Sequence, residues 1–174
     1  VSPPARWYPT AVFDSKIGKT ILFGGAFETP DSQPMWEWNG ATWTERPDLA
    51  KMPGSGGAAF AYDAKRDRIV KFGGLLAGYS DETYEYTYGD AAWVAKAPAH
   101  KPAAGPGVTI YDSGRERVAL YQGLTSELWE WDGSDWSHVG PGLSPAKRGL
   151  AALTYDSDRK KVVIFGGAVA TPLL

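Results

Sequence analysis

The sequence predicts an all-β protein built from repeats of one four-stranded unit. Its 174 residues include 21 Gly, 13 Pro, 8 Trp and 9 Tyr. Glycine-rich turns between short aromatic stretches are typical of β-sheet proteins. Two patterns support this prediction. An apolar stretch ending in glycine recurs along the chain, and aromatic residues alternate with glutamate at the two-residue period of a strand. The length suits a single domain.

A recurring apolar stretch that ends in a glycine pair marks the second strand of each repeat. The pairs occupy positions 24–25, 73–74 and 166–167, and a degraded copy with Gln122 in place of the first glycine occupies 122–123. The aromatic residues before them, at positions 23, 72, 121 and 165, are 49, 49 and 44 residues apart. This spacing predicts structural repeats of about 50 residues.

An aromatic-Asp pair begins a polar loop in every repeat. The aspartates lie nine residues before the aromatic positions just described; they are Asp14, Asp63, Asp112 and Asp156. A short polar stretch between two apolar ones is typical of a β-hairpin. We expect these aspartates to cap the hairpins through hydrogen bonds to nearby backbone groups.

An aromatic-Glu-aromatic triplet marks the third strand. It occurs at 36–38, 84–86 and 129–131, and each copy precedes a Gly-containing turn and then Trp43, Trp93 or Trp136. The central glutamates are Glu37, Glu85 and Glu130. Because they recur in every complete repeat, we interpret them as structural residues on a solvated face or in ion pairs, not as a catalytic or calcium-binding array.

These patterns predict fourteen strands. The first strands of the repeats are expected around 8–13, 57–62, 107–111 and 150–155, and the second strands around 19–24, 68–73, 117–122 and 161–166. The third strands are expected at 35–39, 83–88 and 127–131, and the fourth at 42–45, 92–95 and 135–138. The last repeat therefore has two strands only.

The repeat resembles a blade of the kelch-type β-propeller family, in the form found in bacterial kelch-like proteins and in the propeller of galactose oxidase-like enzymes. The resemblance rests on the glycine pairs, the aromatic residues at 36, 84 and 129, and the tryptophans that follow them. It implies a single partial propeller over 1–174, with blades at about 6–47, 55–98 and 105–140 and a half blade at 148–168. The repeat position held by Arg6 and Arg148 lacks arginine in the other two blades.

The number of blades raises the question of closure. Propellers close with about four to eight blades, whereas three and a half are present here. We favour a piece of a longer propeller, and a chain that begins with Val1 is expected to be processed or excised. A homo-oligomer that closes through its exposed ends is the alternative, and a stable open array is the least favoured interpretation.

Composition argues against several function classes. The net charge of −2 provides no basic field for nucleic acid, and no apolar stretch predicts membrane insertion. The chain has no cysteine, and its two histidines, His100 and His138, lack metal-ligand spacing. The Gly-Lys-Thr sequence at 18–20 lacks the upstream glycine of a phosphate-binding loop. We therefore expect no metal and no cofactor.

The candidate site lies where the repeats differ. In the propeller family the loops after the second strand and those before the first strand share one face. On that face the sequence offers aromatic, acidic and cationic residues that suit a peptide loop or a sugar. The candidate ligand-binding residues are Arg6, Trp7, Phe27, Glu28, Asp31, Tyr79, Asp81, Glu82, His100, Lys101 and Arg148.

Three functions follow from these residues and the resemblance. The favoured one is a non-catalytic binding or scaffold module that contacts a protein partner, or the remaining blades of the same propeller, in a bacterial extracellular or cell-envelope assembly. The second is carbohydrate binding through aromatic loop residues. The third, less favoured, is a sugar-modifying enzyme of the mutarotase or lyase kind, which the resemblance allows and for which Arg6, Arg148 and His100 are the candidate residues.

Overall fold

The computed structural model describes residues 1–25, 34–49, 56–75, 78–140 and 145–168. They contain fourteen strands and, within those ranges, no helix long and apolar enough to cross a membrane. The strands are β1 Thr10–Asp14, β2 Lys19–Phe23, β3 Met35–Trp38, β4 Trp43–Arg46, β5 Ala59–Asp63, β6 Arg68–Phe72, β7 Thr83–Tyr86, β8 Val94–Lys96, β9 Gly107–Asp112, β10 Arg117–Gln122, β11 Glu127–Trp131, β12 Trp136–Val139, β13 Gly149–Asp156 and β14 Lys161–Ala168.

The strands form three four-stranded sheets and one two-stranded sheet. Each sheet is antiparallel and follows chain order, β1 to β4, β5 to β8, β9 to β12 and β13 to β14. We call these sheets blades 1 to 4. The predicted fold, an all-β partial propeller with about three and a half blades, is confirmed, and the four sheets do not close into a ring.

The first strands of the blades lie side by side around an axis. β5 contacts β1 on one side and β9 on the other, and β13 contacts β9. Blades 2 and 3 therefore each present one face to the preceding blade and one to the following blade. The core consists of side chains held between these faces, as expected for sheets that cannot bury both faces alone.

The interface between blades 1 and 2 is filled by aromatic rings. Phe23 stacks on Phe60 with ring centroids 5.2 Å apart, and Trp93 packs edge-on against both rings. The interface between blades 2 and 3 has Trp136 edge-on to Phe72 at 5.5 Å. Trp93 and Trp136, which follow the third strands of blades 2 and 3, thus fill the gaps between neighbouring blades.

Polar contacts add specificity to the second interface. The indole nitrogen of Trp136 donates to Thr83 Oγ1 at 2.9 Å, and that of Trp131 donates to Glu85 Oε1 at 2.9 Å. Both rings are almost fully buried. Burying an indole without a partner for its N–H is unfavourable, so these bonds fix the register of one blade against the next.

The recurrent aspartates cap the hairpins, as predicted. Asp14 Oδ1 accepts from Lys16 N at 2.9 Å, and the other three aspartates accept from backbone N–H groups two or three residues ahead. The recurrent glutamates form ion pairs, as predicted: Glu37 pairs with Lys19 and Arg46, Glu85 with Lys96, and Glu130 with Arg115. Both sets therefore have structural roles.

Glu37 lies in a bonded cluster that joins blade 1 to blade 2. It accepts hydrogen bonds from Lys19, Arg46 and the hydroxyl of Tyr88. Burial alone would raise the pKa of Glu37, but these bonds outweigh it, and its pKa lies below 4.5. The carboxylate is therefore held ionised at the interface.

Candidate functional site

A cavity of about 460 Å³ opens where the first strands of the blades begin. We call this cavity the mouth. Its lining comes from the segments before β1, β5, β9 and β13, from the loop after β6, and from β10 and the start of β13. Its largest side chains are Tyr8, Leu75, Tyr79, Tyr121, Arg148 and Leu150. Its volume lies within the range of about 300–1,000 Å³ that is usual for ligand sites.

The loop after β6 places Leu75 and Tyr79 at the mouth. The Leu75 N–H donates to Gly56 O at 2.7 Å, and the Ser80 N–H donates to Gly74 O at 2.9 Å. These bonds hold Leu75 beside the segment before β5 and Ser80 beside the glycine pair. About half of the surface of Leu75 and of Tyr79 stays exposed, so both side chains are available for contact with a ligand.

Tyr8 and Leu150 occupy the same repeat position in blades 1 and 4, two residues before β1 and at the second residue of β13. Both backbones are left-handed, with φ of 51° for Tyr8 and 58° for Leu150. Both side chains project from the mouth, with 62% of Tyr8 and 83% of Leu150 exposed. In blade 2 the same repeat position is Gly57, with φ of 62°.

Arg148 ties the mouth to the glycine pairs. Its N–H donates to Gly123 O at 3.2 Å, and its guanidinium donates to Gly166 O at 3.2 Å and to Ala146 O at 3.1 Å. A Cβ on Gly123 would lie 2.5 Å from Arg148 O, so this approach requires glycine. Burial raises the pKa of Tyr121, although Arg148 opposes the shift.

Arg6 repeats this arrangement in blade 1, where its guanidinium donates to Gly24 O at 3.1 Å. Arg6 and Arg148 thus each bond the carbonyl of the first glycine in their own blade. In blade 2 the corresponding sequence position is Ser55, which lies outside the described residues. There the carbonyl of the first glycine, Gly73, accepts a hydrogen bond from a lysine instead. The Lys71 Nζ donates to Gly73 O at 2.6 Å.

Lys71 is a buried cation at a repeat position that is apolar in the two neighbouring blades. It is 2% exposed, and its Nζ lies 5.0 Å from the centre of the Tyr84 ring. Burial lowers its pKa to about 8, although the field of Glu82 opposes the shift. The same position holds Leu22 in blade 1 and Leu120 in blade 3.

Among the residues predicted for the site, Tyr79 and Arg148 line the mouth. Trp7 is 75% exposed and directly precedes Tyr8. Asp81 and Lys101 form an ion pair of 2.7 Å, and Glu82 accepts from Ser80 and Tyr84. Phe27, Glu28 and Asp31 lie outside the described residues.

His100 has its described contacts at the outer edge of blade 3. Its Nδ1 lies 2.8 Å from Asp135 Oδ2, and its backbone N–H donates to the other oxygen of that carboxylate. With Trp129 and His138 it lines a separate hollow of about 410 Å³. Arg6 bonds a glycine carbonyl in blade 1 and Arg148 one in blade 4. The three candidate residues for an enzyme, Arg6, Arg148 and His100, are therefore not brought together at one site.

Beyond the mouth the channel continues between the first strands. This second cavity, of about 570 Å³, is lined mainly by residues of the first strands, among them Phe13, Tyr62 and Tyr111. Within the described ranges, no group of three or more His, Asp or Glu side chains is arranged to hold a metal ion.

Sequence reasoning missed Tyr8, Leu75, Tyr121 and Leu150 at the mouth. A signal for two of them exists in the repeat alignment, because Gly57 occupies the position of Tyr8 and Leu150. A glycine at that position indicates a left-handed backbone there. The contribution of Tyr121 comes from the closeness of blades 3 and 4, which spacing along the sequence does not reveal.

No protein-family model and no curated protein matches this sequence. The fold is similar to the solved structure of YjhT, with a TM-score of 0.69 and 16% sequence identity. The match covers 90% of this chain and 56% of that one, so this chain spans little more than half the length of YjhT. At this identity the likeness shows the fold alone.

Proposed function

We propose that this chain is a non-catalytic binding module whose mouth and surrounding loops hold a loop of a partner protein. The observation that carries this proposal is the mouth itself, a cavity surrounded by exposed apolar side chains. Large exposed apolar side chains grouped at one place are typical of interaction surfaces. The resemblance to kelch blades, and with it a bacterial extracellular or cell-envelope setting, belongs to this proposal.

The test is selection of binding partners from a phage-displayed library of disulfide-closed random loops. We expect the selected loops to lose binding to a Tyr79→Ala variant. They should keep binding to a Lys65→Ala variant, because Lys65 lies in an exposed hairpin at the opposite end of the strands. Selected loops that bind both variants equally well would place the binding face elsewhere.

A second part of the proposal concerns the uncovered face of blade 4. Phe23, Phe72 and Tyr121 occupy one repeat position and are 1%, 1% and 2% exposed, because each is covered by the next blade. Phe165 holds the same position in blade 4 and is 81% exposed. We propose that a further sheet covers it, from the remaining blades of the same propeller or from a second copy of the chain.

Solution mass by light scattering decides between these two sources. A concentration-dependent dimer that a Phe165→Lys variant abolishes would assign the covering sheet to a second copy. A monomer at all concentrations would exclude a second copy and leave further blades as the proposed cover. A dimer unaffected by the Phe165 variant would contradict the proposed covering of this face.

Carbohydrate binding is the second candidate function. The observation that favours it is the pair of exposed tyrosines, Tyr8 and Tyr79, on one cavity, because aromatic rings with a polar tip suit amphipathic ligands. Calorimetry with panels of neutral and charged oligosaccharides tests it. Heat that disappears in a Tyr79→Ala variant would support this function, and no heat with any sugar class would count against it.

A further inference from the structure

The last strand of blade 4 has an unpaired edge. Within the described residues β14 is paired with β13 alone, whereas the second strands of the other blades, β2, β6 and β10, each lie between two neighbours. A free edge exposes backbone N–H and C=O groups that another strand can pair with. The edge is also long, because β14 has 8 residues against 5 in β2 and in β6.

The complete blades show which kind of strand pairs with a second strand. In each of them an antiparallel third strand carries the aromatic-Glu-aromatic triplet, and its glutamate always lies opposite the same repeat position. The pairs are Ile21 with Glu37, Val70 with Glu85, and Ala119 with Glu130. The equivalent residue of β14 is Val163. A third strand added to blade 4 in this register therefore places its glutamate opposite Val163.

The charge at the start of β14 complements that glutamate. In blade 1 the Lys19 Nζ lies 2.7 Å from Glu37 Oε1. Lys161 holds the repeat position of Lys19 in blade 4. It is exposed, and no ion pair joins it to another described residue. Lys161 is thus placed to pair with the glutamate of an added strand.

The neighbouring blade is left uncovered where the added strands would lie. Met35 of blade 1 and Thr83 of blade 2 occupy one repeat position on the third strand and are 4% and 1% exposed. The next blade contacts this position, since Trp136 donates to Thr83. The equivalent residue of blade 3, Leu128, is partly exposed. We call the free edge of β14 together with Leu128 the β14 groove.

We propose that the β14 groove binds a β-hairpin supplied by polypeptide outside these 174 residues. The first strand of the hairpin carries an aromatic-Glu-aromatic triplet and pairs antiparallel with β14, so that its glutamate bonds Lys161. Its second strand begins with a tryptophan that packs on Leu128. A folded second copy does not supply this hairpin, because its triplet strands β3, β7 and β11 are already paired on both sides.

The β14 groove is separate from the mouth. The described lining of the mouth contains no residue of β14, so this proposal goes beyond the proposed function and does not depend on it. The groove is also distinct from the exposed face around Phe165, because strand pairing takes place along the edge of the sheet and not on its face.

The probe is a fluorescently labelled synthetic peptide with the sequence of residues 34–46, which form the hairpin of β3 and β4 in blade 1. It carries the triplet and Trp43. We expect it to bind the chain one to one and to slow hydrogen exchange of the β14 amides, because pairing protects the free edge. No binding at about 1 mM peptide, or binding that leaves the exchange of β14 unchanged, would overturn the proposal.

Charge reversal tests the ion pair and the register. Lys161→Glu should raise the Kd of the peptide at least about tenfold, and a peptide with Glu37→Lys should restore binding to that variant. The matched control is Lys160→Glu, which makes the same charge change one residue earlier. Glu116 holds its repeat position in blade 3 with φ of 57°, against 53° for Lys160. The control should bind the parent peptide with unchanged Kd.

The remaining outcomes concern other occupants and other sites. Equal losses in the Lys161 and Lys160 variants, or no rescue by the reversed peptide, would refute the ion pair and the register. A dimer held through β14 that the peptide does not displace would make a second copy the occupant and overturn the proposal. Tyr79→Ala, which tests the mouth, should bind the peptide as well as the parent chain does. A loss of binding there would place the peptide at the mouth instead.

Discussion

Raising the pH from about 7.5 to about 9.5 is expected to stabilise the fold through Lys71. Burial lowers the pKa of this lysine to about 8 in the folded chain, against 10.5 ordinarily. Between these two values the unfolded chain holds a proton that the folded chain has released. Because the unfolded state then binds more protons, the free energy of unfolding rises with pH across this window.

The size of the effect follows from the two pKa values. With a pKa of about 8 in the folded chain and 10.5 in the unfolded chain, the free energy of unfolding rises by about 2 kcal/mol between about pH 7.5 and pH 9.5. For a chain of this length that corresponds to a rise in Tm of about 4–8 °C. Burial raises the pKa of Tyr84 and of Tyr111, which acts in the opposite direction above about pH 10, so the window ends below it.

The assay is urea unfolding followed by tryptophan fluorescence across that pH window, with Lys71→Leu as the matched variant. Leucine occupies the equivalent positions 22 and 120, so the substitution suits the repeat. The variant should lose the rise in stability between about pH 7.5 and 9.5, whatever its absolute stability. Parallel pH profiles for the two proteins would refute the assignment of a buried, weakly basic amine to Lys71.

Three further outcomes are expected. Gly123→Ala should lower the free energy of unfolding by about 2 kcal/mol in urea titration, because the new Cβ would lie 2.5 Å from Arg148 O. Trp136→Phe should cost about 2 kcal/mol by thermal unfolding, because it leaves Thr83 without its indole partner, and a Trp136→Phe, Thr83→Val double variant should recover part of that loss. Glu37→Gln should reduce the loss of stability on acidification, because the pKa of Glu37 lies below 4.5 in the folded chain and its contribution disappears as the pH falls through that value. If the variant and the parent protein lose the same free energy of unfolding on acidification, the expectation for Glu37 is contradicted.

The repeats made the strands predictable, and the mouth was predictable only in part. Strand positions follow from local patterns, so all fourteen strands lie close to their predicted bounds. Tyr79 and Arg148 were found because they lie in loops that differ between blades. Tyr8 and Leu150 were missed because their signal lies in another blade, where Gly57 occupies the equivalent position. The place of His100 depends on Asp135, 35 residues away, through a contact that no local pattern encodes.

The order of the sheets has a consequence for cooperativity. In the described part of the chain, the substantial contacts between sheets join each blade to the next in sequence. Stability in such an array is a sum of nearest-neighbour terms, as in a one-dimensional chain of coupled units. Blades 2 and 3, each held on both sides, form its most protected segment, while β13 and β14 are coupled on one side only. Unfolding is therefore expected to begin at an end of the array, where a blade has one neighbour only.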